Sequence, residues 1–197
     1  MDLDLIDKYI INLPERVDRL KQIEQELKWL FFNDSHFIIN GIKAQPVQTG
    51  IALSHLACVQ SAKDKLLPYV IIMEDDCIFQ AQQRTREYVY NAIENLPEDW
   101  DLLLSGVYDS KGLTKYNEYW NKTKEFCGLH FYIVKNTAYD KILSFNSTVH
   151  IDRWMASKGG LNCYVSSKFF ATQSNGFSNN SNKITDYSDK LRKFALL

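Results

Sequence analysis

The run Tyr69-Val70-Ile71-Ile72-Met73 passes without a spacer into Glu74-Asp75-Asp76. A continuous apolar run of strand length fits a central strand covered on both faces. A chain that holds such a strand must supply helices or further layers for each face. The acids end the strand abruptly, and in open α/β sheets ligands sit beyond the carboxyl ends of the strands. Adjacent carboxylates repel one another unless water or a cation screens them, and carboxylate oxygens suit hard divalent ions such as Mg²⁺ or Mn²⁺. In an extended turn Glu74 and Asp76 point one way and Asp75 the other, so the acid-x-acid pair can grip one metal, or a metal and a sugar. An acidic triplet is otherwise an ordinary solvated turn. This one is wedged between residues 69–73 and the apolar Cys77-Ile78-Phe79, which is unusual for a surface turn, and on pattern alone both readings stand.

The rest of the chain alternates strand and helix signals. Residues 8–12 read as a short buried strand. Pro14 suits a first helical turn, and Val17, Leu20, Ile23, Leu27 and Leu30 then recur at helical spacing, so 15–30 reads as an amphipathic helix. Residues 37–40 read as a strand ended by Gly41. Thr49-Gly50 precedes a helix running to Lys65 and closed by Pro68. Residues 85–95 read as a helix and 101–105 as a strand ended by Gly106. The polar, tyrosine-rich stretch 107–125 reads as a long loop, of a length that is often functional. Residues 131–135 read as a strand, and Asn136 as the cap of a helix over 137–145. A short helix is expected over 152–158, strands over 163–166 and 169–173, a loop over 174–182, and a basic helix or tail at the end. The alternation indicates a single α/β domain over 1–197, with a mostly parallel, Rossmann-like central sheet flanked by helices.

Composition narrows the function classes. The 197 residues are 45% hydrophobic and 24% charged, with a net charge of -1. This describes a folded globular chain without the basic excess of a nucleic-acid binder. The four cysteines, Cys58, Cys77, Cys127 and Cys163, form no C-x-x-C pair, which argues against structural zinc. The run 69–73 is too short to span a bilayer, which leaves at most peripheral membrane contact. The acidic start 1–7 is unlike a signal peptide. The expectation is a reduced, cytoplasmic protein with free thiols. No G-x-S-x-G elbow and no P-loop is present.

Further polar groups follow the strands. Asn12, Leu13, Arg16 and Arg19 come after the first strand. Arg16 and Arg19, spaced i, i+3, share a helix face and could hold a pyrophosphate, although spacing alone favours a solvated face. Ser54 and His55 lie on the next helix. His55, His130 and His150 are each, singly, more often packing residues than ligands. Asp152 stands near a helix start, where it could simply be a cap.

The ordered series of these blocks resembles glycosyltransferase family 25, which includes lipooligosaccharide and collagen galactosyltransferases. Ile11-Asn12-Leu13-Pro14-Glu15-Arg16-Val17-Asp18-Arg19 is similar to that family's opening strand and Asn-Leu…Arg…Asp-Arg block. Gly50-Ile51-Ala52-Leu53-Ser54-His55-Leu56 is similar to its Gly…Leu-Ser-His segment, and Val70 through Cys77 to its Leu-Glu-Asp-Asp strand end. Gly128-Leu129-His130-Phe131-Tyr132 is similar to its Gly-Thr-His-Ala-Tyr, with Leu129 in place of the threonine. His150-Ile151-Asp152 and the pair Gln173, Ser178 complete the series. Residues 37–50 and the acceptor-side region are short for the family.

The resemblance implies a GT-A fold, a nucleotide-diphosphate sugar donor (UDP-galactose favoured), Mn²⁺ or Mg²⁺, a glycan or glycoconjugate acceptor as in lipopolysaccharide biosynthesis, and inversion at the anomeric carbon. Asp76 and Glu74 would be the metal ligands. Asn12, Leu13, Arg16, Arg19, Ser54, His55, Glu74, Asp75 and His130 would form the nucleotide-sugar pocket. Asp152 would be the base that takes the acceptor proton. The stretch 107–125 would close over the donor, its tyrosines and Trp120 stacking on sugar rings. A nucleotidyltransferase and a catalytically degenerate sugar-binding protein are the alternatives.

Overall fold

The computed structural model describes residues 1–79, 83–178 and 183–186. In chain order the elements are β1 (Lys8–Asn12), α1 (Val17–Leu30), β2 (Phe37–Asn40), α2 (Val47–Asp64), β3 (Tyr69–Glu74), β4 (Cys77–Phe79) and α3 (Gln83–Glu94). There follow β5 (Leu102–Leu104), β6 (Asp109–Lys111), β7 (Thr114–Lys115), β8 (Trp120–Thr123), β9 (Glu125–Cys127) and β10 (Phe131–Lys135). The last are α4 (Tyr139–Leu143), α5 (Ile151–Ser157), β11 (Cys163–Ser166), β12 (Ala171–Gln173), β13 (Gly176–Ser178) and β14 (Lys183–Thr185). The basic tail expected at the end falls on 187–197, outside the described residues.

An eight-stranded sheet in the order β2-β1-β3-β10-β5-β11-β8-β7 forms the centre. β2, β1 and β3 run parallel, β10 runs against both β3 and β5, and β11 runs with β5. β8 is antiparallel to β11 and to β7. Six of the eight strands therefore share one direction, and β10 and β8 are reversed. The mostly parallel sheet expected from the alternation is the one observed.

The apolar run lies at the heart of this sheet. β3 is bracketed by β1 and β10, and Val70, Ile71, Ile72 and Met73 have no exposed surface. Successive side chains of a strand face opposite ways. Val70 and Ile72 accordingly pack with Ala52, Cys58, Val59 and Ala62 of α2 and with residues of α4 and α5. Ile71 and Met73 pack with Ile23, Leu27 and Leu30 of α1 and with Val89, Ala92 and Ile93 of α3. Helical layers on both faces are what a strand apolar on both sides requires.

Several local expectations are corrected, among them the loop over 174–182, of which Gly176–Ser178 form β13 and pair with β14. The stretch 107–125 is a set of short antiparallel strands, with Asp109 opposite Cys127 and Thr114 opposite Lys122. Only β7 is an edge strand of the main sheet, β8 lies between it and β11, and β6 pairs with β9 alone; the turn is made by Asn117, whose side-chain oxygen accepts from the amides of Tyr119 and Trp120 at 2.9 Å. Trp120 is buried and donates its indole N–H to the Ala92 carbonyl at 2.8 Å, so it is not available to stack on a sugar. Helix α2 begins before Gly50, which lies inside it. A Cβ on Gly50 would stand 2.3 Å from the Ile42 carbonyl oxygen, so this glycine permits a close crossing of the 41–45 segment. Asn136 opens a 3-10 turn, and α4 starts at Tyr139 without a side-chain cap.

Candidate active site

The carboxyl ends of β1 and β3, the starts of α1 and α2, the end of β9 with residues 128–129, and the first turn of α5 line a cavity of about 410 Å³. Its walls include Leu13, Arg16, Arg19, Ser54, His55, Glu74, Asp75, Asp76 and Asp152. Residues spread over 140 positions thus meet at one point, beyond the strand ends where α/β folds place their ligands.

The acidic triplet is held by its backbone from three directions. The Glu74 amide donates to the His130 carbonyl at 3.1 Å, the Asp75 amide to the Ile11 carbonyl at 3.1 Å, and the Asp76 carbonyl accepts from Ser174 at 2.8 Å. β3 ends at Glu74 and a turn follows, so strict alternation stops there. Asp75 and Asp76 both reach Arg19, whose Nη1 donates to Asp75 Oδ1 at 3.0 Å and to Asp76 Oδ2 at 3.1 Å. Glu74 turns instead to His55, with Oε1 3.1 Å from Nε2. The pairing expected from an extended turn, Glu74 with Asp76 and Asp75 apart, gives way to Asp75 with Asp76 and Glu74 apart.

Asp75 and Asp76 are 7% and 6% exposed. Burial raises both carboxyls, and for Asp76 the Glu74 charge adds to it and carries the group to about 7. Burial is the strongest single influence on Glu74 and would raise it, but the His55 hydrogen bond and the nearby positive charge, Arg19 included, together outweigh burial and hold that carboxyl below the usual range. Asp76 Oδ2 accepts from both Arg19 and Gln173, whereas the buried Oδ1 has no hydrogen-bond partner. Leaving a buried carboxylate oxygen unmatched is costly, and a hard cation would satisfy it. No three His, Cys, Asp or Glu side chains among the described residues form a complete metal cage. Asp76 could therefore supply at most part of a coordination shell, and Glu74, whose Oε1 is taken by His55, could add to it only through its other oxygen.

The other expected residues are placed as follows. Asn12 ends β1 nearly buried, its amide donating to the Leu13 carbonyl at 2.8 Å while Oδ1 has no partner. Arg16 stands just before α1 and forks onto Asp18 at 2.9 and 2.8 Å. The Ser54 hydroxyl accepts from the Ile42 amide and donates to the Gly50 carbonyl, both at 2.8 Å, which spends it on pinning the 41–45 segment to α2. His55 is buried between Glu74 and the Tyr132 hydroxyl, 2.8 Å from Nδ1. His130 is wholly buried behind the cavity wall, and burial lowers its ring to about 4, so it is neutral. The cavity-lining Tyr108 packs on it, ring centroids 5.6 Å apart. Asp152 lies in the first turn of α5, not at its cap. Its Oδ2 accepts from the Gly128 amide at 2.9 Å and its Oδ1 from the Arg153 amide at 2.7 Å.

Gln48, Tyr108, Arg153 and Gln173 also line the cavity. Gln173 touches Asp76 from 97 positions away, and no local pattern announces such a pair. Tyr132, hidden in a strand that reads as pure core, completes the line Glu74–His55–Tyr132.

No protein-family model and no curated protein sequence matches the chain. Its fold matches those of solved structures. It is similar to a glycosyltransferase involved in glycosylation of the major capsid of PBCV-1, with a TM-score of 0.57 and 7% identity, over 96% of this chain and 98% of that one. It is similar also to A197 from STIV, with a TM-score of 0.53 and 14% identity, over 92% of this chain and 95% of that one. The fold is that of the GT-A glycosyltransferases. Among the described residues no helix is long and apolar enough to cross a membrane.

Proposed function

We propose that the chain is a metal-dependent glycosyltransferase that moves a hexose, galactose being favoured, from a UDP-sugar to a hydroxyl of a glycan or glycoconjugate with inversion, in the manner of glycosyltransferase family 25. One observation carries the reading: Arg19, Glu74, Asp75 and Asp76 converge on a cavity beyond β1 and β3, and one buried oxygen of Asp76 is left unmatched. Asp76 and Glu74 would hold the divalent ion. When bound, that ion neutralises the charge that builds on the leaving diphosphate.

The chain's own groups do the rest. Arg19 holds Asp75 and Asp76 in one orientation. His55, anchored by Tyr132, fixes Glu74. Arg16 and Arg153 bring positive charge to the cavity wall and suit phosphate oxygens. Asp152 would take the acceptor proton. Its two backbone hydrogen bonds fix the carboxylate, and each carboxylate oxygen keeps a further lone pair for that proton.

The test is UDP-galactose binding and transfer, with and without Mn²⁺, for the wild type and Asp76→Ala. Metal-dependent binding and turnover are expected for the wild type and neither for the variant. Wild-type turnover by Asp76→Ala removes the metal assignment, and pyrophosphate release from a nucleoside triphosphate would make the chain a nucleotidyltransferase.

A further inference from the structure

A second cavity, about 300 Å³, adjoins the first, and Gln48 lines both. Helix α2 presents two neighbouring stripes to the pair. With 3.6 residues per turn, Ile51 and His55 fall on one side of Gln48, facing the acidic cavity, and Ala52 and Leu56 on the other, facing the second. The opposite wall is the 145–149 segment, which runs directly into His150, Ile151 and Asp152 of the first cavity. The wall of the second cavity is therefore continuous in the chain with the segment that carries the group assigned as base.

The two linings differ in kind. The first carries arginines and carboxylates, whereas none of the eleven residues around the second bears a formal charge. Ala52, Leu53, Leu56, Phe145 and Val149 give it apolar walls. Gln48, Asn146 and Thr148 set amide and hydroxyl groups among them. Two contacts brace the 145–149 wall. Phe145 packs edge-on against Trp154, with centroids 5.3 Å apart. The Val149 amide donates to Ser147 Oγ at 3.2 Å. A space of this size falls at the small end of ligand pockets. An uncharged space with apolar walls and scattered hydrogen-bonding groups complements a neutral sugar ring, whose C–H face is apolar and whose edge carries hydroxyls. It would leave a phosphate or carboxylate without a counter-charge.

We propose that this second cavity is the acceptor subsite and that it takes a neutral saccharide unit, presenting that unit's hydroxyl toward Asp152. The acceptor role rests on the transferase reading above, while the binding of a neutral sugar does not depend on it. Leu53 and Val149, each 41% exposed at the rim, allow the space to be filled from the surface without disturbing the core.

Saturation-transfer NMR on the whole chain, with methyl glycosides and disaccharides of neutral hexoses as probes and hexuronic acids and hexose phosphates as comparators, tests it directly. Expected is binding of at least one neutral sugar, weakened at least about tenfold by Leu53→Trp and by Val149→Trp, with UDP-sugar affinity unchanged in both. Undiminished sugar binding in both variants, preference for the charged comparators, or no neutral sugar bound at all overturns the proposal. Loss of sugar binding in the variants of a chain that binds no UDP-sugar would keep the saccharide site and remove the transferase reading.

Discussion

Replacing Asp76 with Asn should make the metal-free protein more stable while destroying its response to Mn²⁺. Asp76 is 6% exposed, and burial together with the Glu74 charge raises its carboxyl from 3.8 to about 7. At ~1.4 kcal/mol for each tenfold in proton affinity, ionised Asp76 costs the fold roughly 4 kcal/mol. Asn removes that charge and keeps an oxygen for Arg19 and Gln173, but its buried amide needs partners of its own, a cost of about 1–3 kcal/mol. The expected net gain is about 1–3 kcal/mol at pH 8. A carboxyl raised in the folded state gives stability that is whole below the unfolded value near 3.8 and is lost as pH rises through about 7. The advantage of Asp76→Asn should therefore be largest at pH 8 and gone by pH 4. Urea unfolding with EDTA, read for equal slopes in both proteins, measures this. With Mn²⁺ at 100 times its dissociation constant, the wild type should gain about 2.7 kcal/mol and the variant nothing. A variant less stable than wild type at pH 8, or a difference that ignores pH, would show that the corner carries no uncompensated charge, and the argument for a cation there would go with it.

Asp152→Asn should lower kcat by about 10²–10⁴ while UDP-sugar affinity moves by less than about threefold; a collapse of donor affinity would make Asp152 a donor-site residue. Gly106 has φ +74, and an added Cβ would lie 2.1 Å from the Ala171 carbonyl oxygen and 2.3 Å from His130 Nε2. Gly106→Ala should therefore cost about 2–5 kcal/mol in urea, from left-handed backbone and overpacking together, and a loss below about 1 kcal/mol would refute that close approach. Burial pushes Cys58 and Cys163 from 9.0 to about 12. Stability they contribute is whole below pH 9 and falls as pH climbs toward 12, by up to ~1.4 kcal/mol per pH unit for each thiol. Replacing both by Val should flatten the loss of stability between pH 9 and 10, and an unchanged slope would place the ionisation elsewhere.

The amino-acid pattern was enough for the frame. The apolar run 69–73 demanded cover on two faces and received it, and helical spacing over Val17, Ile23, Leu27 and Leu30 located α1. These are local signals, because period and burial on one element follow from that element's own residues. The pattern also marked the residues Arg19, His55, Glu74, Asp76 and Asp152, which the fold brings to one cavity. It misread the 107–125 stretch, where strands of two to four mostly polar residues are too short to show alternation. It misread Gly50 as a helix boundary, because the reason for that glycine is a crossing segment and not its own helix.

What each site group touches was decided only by the tertiary structure. That Arg19 spans Asp75 and Asp76, that Gln173 reaches Asp76, that Ser54 is spent on the 41–45 segment, and that an uncharged cavity lies beside the acidic one all depend on contacts between distant elements. Side-chain direction after a strand end, and the partner waiting there, are set by the packing of whole layers. A sequence can name the carboxylates, but three-dimensional packing determines which of their oxygens is left without a donor.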